Sequence, residues 1–354
     1  MNIGIDISPL KSGHYLQHRV RGTGFYLQNL QASFEKYYPE NKYIYFNRGD
    51  LLNGNIDVVH YPYFEPFFLT LPLFSKNKTI VTVHDLTPLV FPKEFPSGLK
   101  GKLKWKIQKA SLRKTDAIIA DSESSKRDVV KFTGIAKDKI NVVYLAAADV
   151  FKPEPNTLLL YRIKVKYKLP EKFVLYVGDV TWNKNLPRLI ESVKKISVPL
   201  VMVGSALTRQ DVDLSNPWNK DYARVLKLIE GNKSITRLGF VSNEELVLLY
   251  NMATVFTMPS VYEGFGLPVL EAMSCGCPVV TSKEGSISEI AGEACRYVDV
   301  YDIDSIAAGI SEIFNSKSLQ QKLSKKGLAQ SKKFTWYKTA RETMNVYKAV
   351  TALE

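Results

Sequence analysis

Cysteine is nearly absent. Only Cys275, Cys277 and Cys295 occur among 354 residues, too few for a disulfide framework, and Cys-Gly-Cys lacks the spacing and partner ligands of a zinc site. The three are read as small buried residues. Long apolar runs are missing too. No stretch of about eighteen apolar residues could span a bilayer, and the opening "MNIGIDISPL" has neither the charged start nor the apolar core of a signal peptide. These absences predict a cytoplasmic protein. Acid is the third shortage: 35 Asp and Glu face 48 Lys and Arg, a net charge of +13. Such an excess predicts attraction to something anionic, whether phosphorylated small molecules, an acidic membrane surface or nucleic acid. No zinc finger, recognition helix or aromatic-basic sheet face is evident, so nucleic acid is not the expected partner.

What is present is ordinary globular composition, with 45% hydrophobic and 23% charged residues in a length that suits two domains. Short apolar runs recur with amphipathic segments between them. "NIGIDI", "DVVHYP", "TIVTVHD", "DAIIADS" and "INVVYLA" read as strands in the first half, and "KFVLYVGD", "PLVMVGS", "TVFTMPS" and "CPVVTS" in the second. Each is continuously apolar, which suits parallel strands covered by helices on both faces. The proline-bearing stretch "FKPEPNTLLLYRIKVKYKLPEK" interrupts this rhythm and marks a boundary near residue 160. The expected fold is α/β: two doubly wound, Rossmann-like domains, 1–160 and 161–335, with ligands at the carboxyl ends of the strands and the site in a cleft between them.

One stretch carries more chemistry than the rest. In "YEGFGLPVLEA" a loop leaves the strand "TVFTMPS" and enters a helix whose first turn holds Pro268, where a missing N–H costs nothing. The free amides of that turn, preceded by Gly264 and Gly266, form an anion site fit for phosphate. Glu271, one turn on, is an acceptor-only group that matches a vicinal diol such as a ribose, and Glu263 on the loop can accept from sugar hydroxyls. Together they bracket a nucleotide-sugar. The same residues also fit a bare turn followed by a helix-favouring acid. His84, at the end of "TIVTVH", stands where a strand-end side chain reaches a cleft. Lys184 lies between a strand end and a helix start, placed to neutralise a diphosphate. In the first loop, "KSGHYLQHRVRGTG", Gly22 and Gly24 would let backbone approach a phosphate.

Glu263, seven residues and Glu271, set in "EGFGLPVLEA", resemble the signature of the retaining glycosyltransferases of family 4. "GTGFYLQNL", "VTVHDLTPLVFP", "ADSESSKRDV", "YVGDVTWNKNLPRLIES", "LGFVSNEELVLLY" and "FTWYKTARETMNVY" extend the likeness over nearly the whole chain. The resemblance implies the GT-B fold, with residues 336–354 forming a helix that returns to the first domain. It implies a retaining sugar transfer in which Glu263, His84 and Lys184 are catalytic. Gly178, Asn183, Phe265, Gly266, Leu267 and Glu271, with Gly22 and Gly24, would bind the nucleotide-sugar. The chain departs from the pattern in one respect: where relatives often carry an arginine after the glycine or before the lysine, it has Asp179 and Asn183. Arg188, Arg209 or Lys283 are candidate replacements, and a binding protein weakened in catalysis is the alternative. "HDLTPLVFP" and "KNLPRLIE" are similar to bacterial mannosyltransferases of surface polysaccharide assembly, which implies GDP-mannose ahead of a UDP-sugar and a saccharide or lipid-linked saccharide acceptor. No metal is expected; "DVD" at 211 and "DID" at 302 are read as solvated acids.

The basic excess is concentrated in "SGLKGKLKWKIQKASLRK", residues 97–114, with seven Lys or Arg and no acid. Leu99, Leu103, Ile107 and Ala110 share one helical face and Trp105 sits among the lysines. Such a helix suits an anionic membrane surface, each cation adding about 1 kcal/mol near acidic lipid. It equally suits a helix that packs its apolar stripe on the first domain.

Overall fold

The computed structural model describes residues 1–10, 21–50, 52, 54–209 and 211–352. The chain divides into two compact units, one of residues 1–146 with 334–354 and one of residues 147–333.

The first unit is built on β1 (Asn2–Asp6), β2 (Lys42–Phe46), β3 (Val58–Tyr61), β4 (Thr79–Val83), β5 (Ala117–Ala120) and β6 (Ile140–Val142), all parallel, in the order β2-β1-β3-β4-β5-β6. Its helices are α1 (Arg21–Tyr37), α2 (Thr87–Val90), α3 (Gly98–Lys114) and α4 (Glu123–Thr133). Capping sets the limits of α4. The Ser122 side chain accepts from the Ser125 amide at one end, and Gly134, at φ 73°, closes the other in the left-handed region that glycine enters without strain.

The second unit opens with α5 (Thr157–Tyr167) and holds β7 (Val174–Val177), β8 (Leu200–Val203), β9 (Ile235–Leu238), β10 (Val255–Met258), β11 (Val279–Thr281) and β12 (Arg296–Tyr297). They pair in parallel in the order β12-β11-β10-β7-β8-β9. Around them run α6 (Leu186–Lys195), α7 (Lys220–Ile229), α8 (Asn243–Met252), α9 (Leu267–Ser274), α10 (Ile287–Ala291), α11 (Ile303–Phe314) and α12 (Lys317–Ser331). Leu186, Leu189, Ile190 and Val193 recur at helical spacing on the buried face of α6, against Val174, Leu200 and Met202 of the central strands. The final helix, α13 (Trp336–Ala352), belongs to the first unit. Its Tyr347 ring lies 5.7 Å from Phe34 of α1, and its Thr339 hydroxyl donates to the Tyr144 carbonyl at 2.7 Å.

The division falls at 146/147, not near 160. The proline-rich stretch is not an open linker: Asn156 caps α5, and Tyr167 at its end donates to Glu245 of α8 at 2.6 Å, which ties these residues to the second unit. Asp302 and Asp213, read as solvated acids, are exposed and also serve the backbone. The first caps α11 and the second closes a turn onto the Ser215 amide.

Candidate active site

In the second sheet β7 and β10 are neighbours although β8 and β9 intervene in sequence, so the strand order reverses there. Loops leaving the carboxyl ends of two such strands part and open a crevice, the position where doubly wound sheets hold nucleotides. Both loops carry residues singled out in the sequence. After β7 come Gly178, Asn183 and Lys184; after β10 come Glu263, Phe265 and Gly266.

Asparagines lock the two loops together. Asn183 donates from its side chain to the Tyr262 carbonyl at 3.0 Å and its own carbonyl accepts from the Val261 amide at 2.7 Å. Asn185, at φ 57°, donates to the carbonyls of Pro259 and Val300 at 3.0 and 2.7 Å. A residue before a helix that sits in the left-handed region and also needs an amide side chain is well served by asparagine. On this scaffold Lys184 Nζ stands 2.8 Å from each carboxylate oxygen of Glu263. Both groups are largely buried, with side chains 18% and 9% exposed. Removing one partner of such a pair strands a buried charge, at a cost of about 3–5 kcal/mol.

A third loop buttresses Glu263 from behind. Ser286, after β11, donates its amide and its hydroxyl to the Glu263 carbonyl at 3.1 and 3.0 Å. Gly285 precedes it at φ 62°, and a Cβ there would fall 2.5 Å from the Glu263 carbonyl oxygen. Glycine is therefore required twice over, by conformation and by space. At the start of α9, Gly266 takes φ 99°, and among the described residues the amides of Gly266 and Leu267 make no hydrogen bond. Pro268 follows in the first turn. Unpaired donors here form a local positive end able to receive an anion.

Glu271, on the same helix, is 8% exposed and accepts from the Tyr250 hydroxyl of α8 at 3.0 Å. Burial pushes its carboxyl up to about 7, against the opposing pull of the Tyr250 hydrogen bond. It is thus poised between its two protonation states at neutral pH. Tyr250, Ser286, Gly285 and Asn185 support the site without having stood out as site residues. A lone tyrosine at the end of "EELVLLY" and a Gly-Ser pair carry no spacing signal that separates them from ordinary helix and turn residues.

In the first unit, His84 follows β4. Its Nδ1 lies 2.6 Å from Asp121 Oδ2 and its Nε2 3.1 Å from the Pro62 carbonyl oxygen. A carboxylate and a carbonyl are both acceptors, so the ring satisfies them together only as imidazolium. Burial lowers its pKa, but the charge and hydrogen bond of Asp121, with Asp85 and the Pro62 carbonyl, outweigh it and raise the pKa. Any group that bonds to Nε2 must displace Pro62. His60 is fully buried between the hydroxyls of Thr82 and Tyr347 at 2.7 Å each, and burial lowers its pKa to about 3.

Two of the expected ligand-binding residues stand elsewhere than anticipated, and others have protein partners. Gly22 and Gly24 are not in a loop; they form the first turn of α1. Residues 11–20 of the glycine-bearing loop lie outside the described residues. The Asn183 side chain is occupied by the neighbouring loop and by the Thr181 hydroxyl at 2.8 Å. The backbone of Gly178 is packed against Gly204, where a Cβ would fall 2.1 Å from the Gly178 carbonyl oxygen. Of the candidate replacement cations, Arg188 donates to Asn185 at 2.9 Å and lies over Tyr301, while Lys283 lies over Tyr297.

Two family models cover most of the chain: "Glycosyltransferase Family 4" matches residues 21–147 and "Glycosyl transferases group 1" matches residues 161–330. The chain belongs to the family 4 and group 1 glycosyltransferases and has their two-domain GT-B fold. It is similar to the O-antigen chain mannosyltransferase B of Escherichia coli, with 31% identity over 282 residues, 77% of this chain and 70% of that one. It is also similar to the serotype-specific mannosyltransferase WbdA of Escherichia coli, at 28% identity over 268 residues, 74% of this chain but 32% of that protein. Among solved structures, Anabaena Alr3699/HepE in complex with UDP and glucose matches 98% of this chain and 99% of its own with a TM-score of 0.72 at 14% identity.

Proposed function

We propose that the protein is a retaining glycosyltransferase that moves mannose from GDP-mannose to a saccharide or lipid-linked saccharide during polysaccharide assembly. The observation that carries this is the cluster at the strand-order reversal. A cation, unpaired helix-start amides and two buried carboxylates converge there, the complement of a diphosphate flanked by hydroxylated rings. In this reading Lys184 and the amides of Gly266 and Leu267 take the diphosphate. Glu271 accepts from the ribose diol and Glu263 faces the sugar, where its charge opposes the positive charge that builds at the anomeric carbon. His84 is assigned a catalytic part as well, its Nε2 becoming available when the Pro62 bond is exchanged.

The choice of mannose is supported by the names of two relatives, both mannosyltransferases. The choice of GDP has less behind it, since a protein of the same fold holds UDP. A lipid-linked acceptor would bring the first unit to the cytoplasmic face of a membrane, with residues 97–114 as its contact. Thermal shift with GDP, UDP and their sugars separates the nucleotides, because a ligand that binds only the folded state raises Tm. Protection by GDP-mannose and turnover with retained anomeric configuration, read by NMR of the product, are the expected outcomes. Protection by UDP alone overturns the donor, and protection without turnover leaves a nucleotide-sugar-binding protein.

A further inference from the structure

α3 is mounted the wrong way round for a helix that docks by its apolar stripe. Leu99 is 85% exposed and Leu103 61%, while the positions it buries are Gly101, Gln108, Ser111 and Leu112. The cause lies beneath it, in the segment between β3 and β4. At Gly101 the helix rests on Phe67, whose atoms lie 3.7 Å from where a Cβ would stand. Gln108 Oε1 accepts from the Thr70 amide, the Thr70 hydroxyl and the Leu71 amide at 2.7, 2.8 and 3.0 Å. A buried glutamine with three hydrogen bonds to one segment fixes the two elements as a single piece.

That segment shows apolar side chains of its own. Leu69, Leu73 and Phe74 are 46%, 57% and 82% exposed. Lys114 Nζ lies 4.8 Å from the Phe74 ring and Lys104 Nζ lies 5.2 Å from Phe68, so lysines of α3 edge the apolar segment at two points along the helix. Trp105, the aromatic that the sequence set among these lysines, packs inward on the core, and Phe74 takes the outer position. Residues 66–78 and 97–114 together hold nine Lys or Arg and no Asp or Glu. Single exposed apolar residues mean little, but five large ones on two coupled segments that contain cations and no acid form a patch.

We infer that α3 and the 66–78 segment form one composite surface for an anionic lipid bilayer, into which Leu73, Phe74, Leu99 and Leu103 insert while the lysines stay among the headgroups. Long lysine stems spread over apolar surface with their charges in water, which is the arrangement such an interface needs. Charge complementarity selects the lipid: a surface with no acid is matched by acidic headgroups. The inference deepens the membrane-facing acceptor reading, yet it stands on vesicle binding alone, so a failed donor assignment leaves it intact.

Insertion distinguishes this surface from a merely charged helix. Pure charge attraction fades with salt, whereas apolar insertion does not. The test is co-sedimentation of the full chain with phosphatidylcholine vesicles, with or without about one-third phosphatidylglycerol, at about 0.05 and about 0.5 M salt. Binding to the acidic vesicles only, weakened but not abolished by salt, is expected. Leu73→Ser with Phe74→Ser should lower binding about tenfold or more at both salt levels, as should Leu99→Ser with Leu103→Ser. Replacement of Lys100, Lys102, Lys104 and Lys106 by Gln should remove most of the salt dependence. Apart from the half-buried Lys104, all three variants alter exposed side chains, and unchanged melting curves confirm that each is folded. Equal binding to both vesicle types, no binding to either, or undiminished binding by the two Ser variants overturns the inference.

Discussion

Glu271 and Glu263 are both buried carboxylates a few residues apart, yet their surroundings give them different work. Glu263 is matched to a cation, whereas Glu271 has only a tyrosine hydroxyl and is pushed up to about 7. If Glu271 accepts from a ribose diol, only its ionised form serves, so the complex must hold a lower pKa than the free protein. Nucleotide affinity should therefore rise with pH up to about 7 and level off above it, with a proton released on binding below that value. Calorimetry in two buffers of different ionisation enthalpy reads that proton directly. The sign for stability is the reverse: because the folded pKa is raised, this group's contribution is full at low pH and is lost as pH rises through about 7. Glu271→Gln should raise KM by about 1.5–3 kcal/mol equivalent above pH 7 and approach wild type as pH falls. Glu263→Gln should act chiefly on kcat, because its charge matters most where the anomeric carbon becomes positive. Equal losses of kcat in the two variants would contradict that division.

Elements show why the sequence was legible in some places and not in others. Nine strands announce themselves as apolar runs, and eight of them are interior or become buried on both faces. The three that gave no such signal, β2, β9 and β12, all lie at sheet edges. An edge strand is covered incompletely, so "KYIYF" and "ITRL" keep lysine and arginine among their apolar residues and lose the pattern. The site was legible to the same degree. Glu263, Glu271, Lys184 and Gly266 carry chemistry in their residue types and spacing, whereas Ser286 and Gly285 matter only through a loop brought from β11. That third loop yields a sharp expectation: Gly285→Ala drives a Cβ into the Glu263 carbonyl, so it should impair donor binding while leaving the fold largely intact, as thermal melts with and without nucleotide would show. A second concerns α13. Tyr347→Phe removes the hydroxyl 2.7 Å from His60 Nδ1 and leaves a buried ring nitrogen unpaired, which should cost about 1–3 kcal/mol in chemical denaturation. Loss of less than a few tenths would mean that the buried pair contributes nothing.

At the scale of the whole molecule, the two units differ in how the chain supplies them. The second is one uninterrupted stretch, 147–333, while the first is assembled from residues 1–146 and 334–354. Residues 147–333 expressed alone should unfold cooperatively and still be stabilised by nucleotide, as calorimetry would show; a non-cooperative melt would refute this. Deletion of 334–354 should spare the second unit's transition and abolish the first's. α13 buries Trp336, Met344, Tyr347 and Val350, each large apolar side chain worth about 1.5–3 kcal/mol. The chain therefore inverts the usual order of birth at the ribosome, where N-terminal domains finish first. Here the half that begins first must wait, its α1 face uncovered, until α13 emerges, and α13 follows only after residue 333 has completed the second unit.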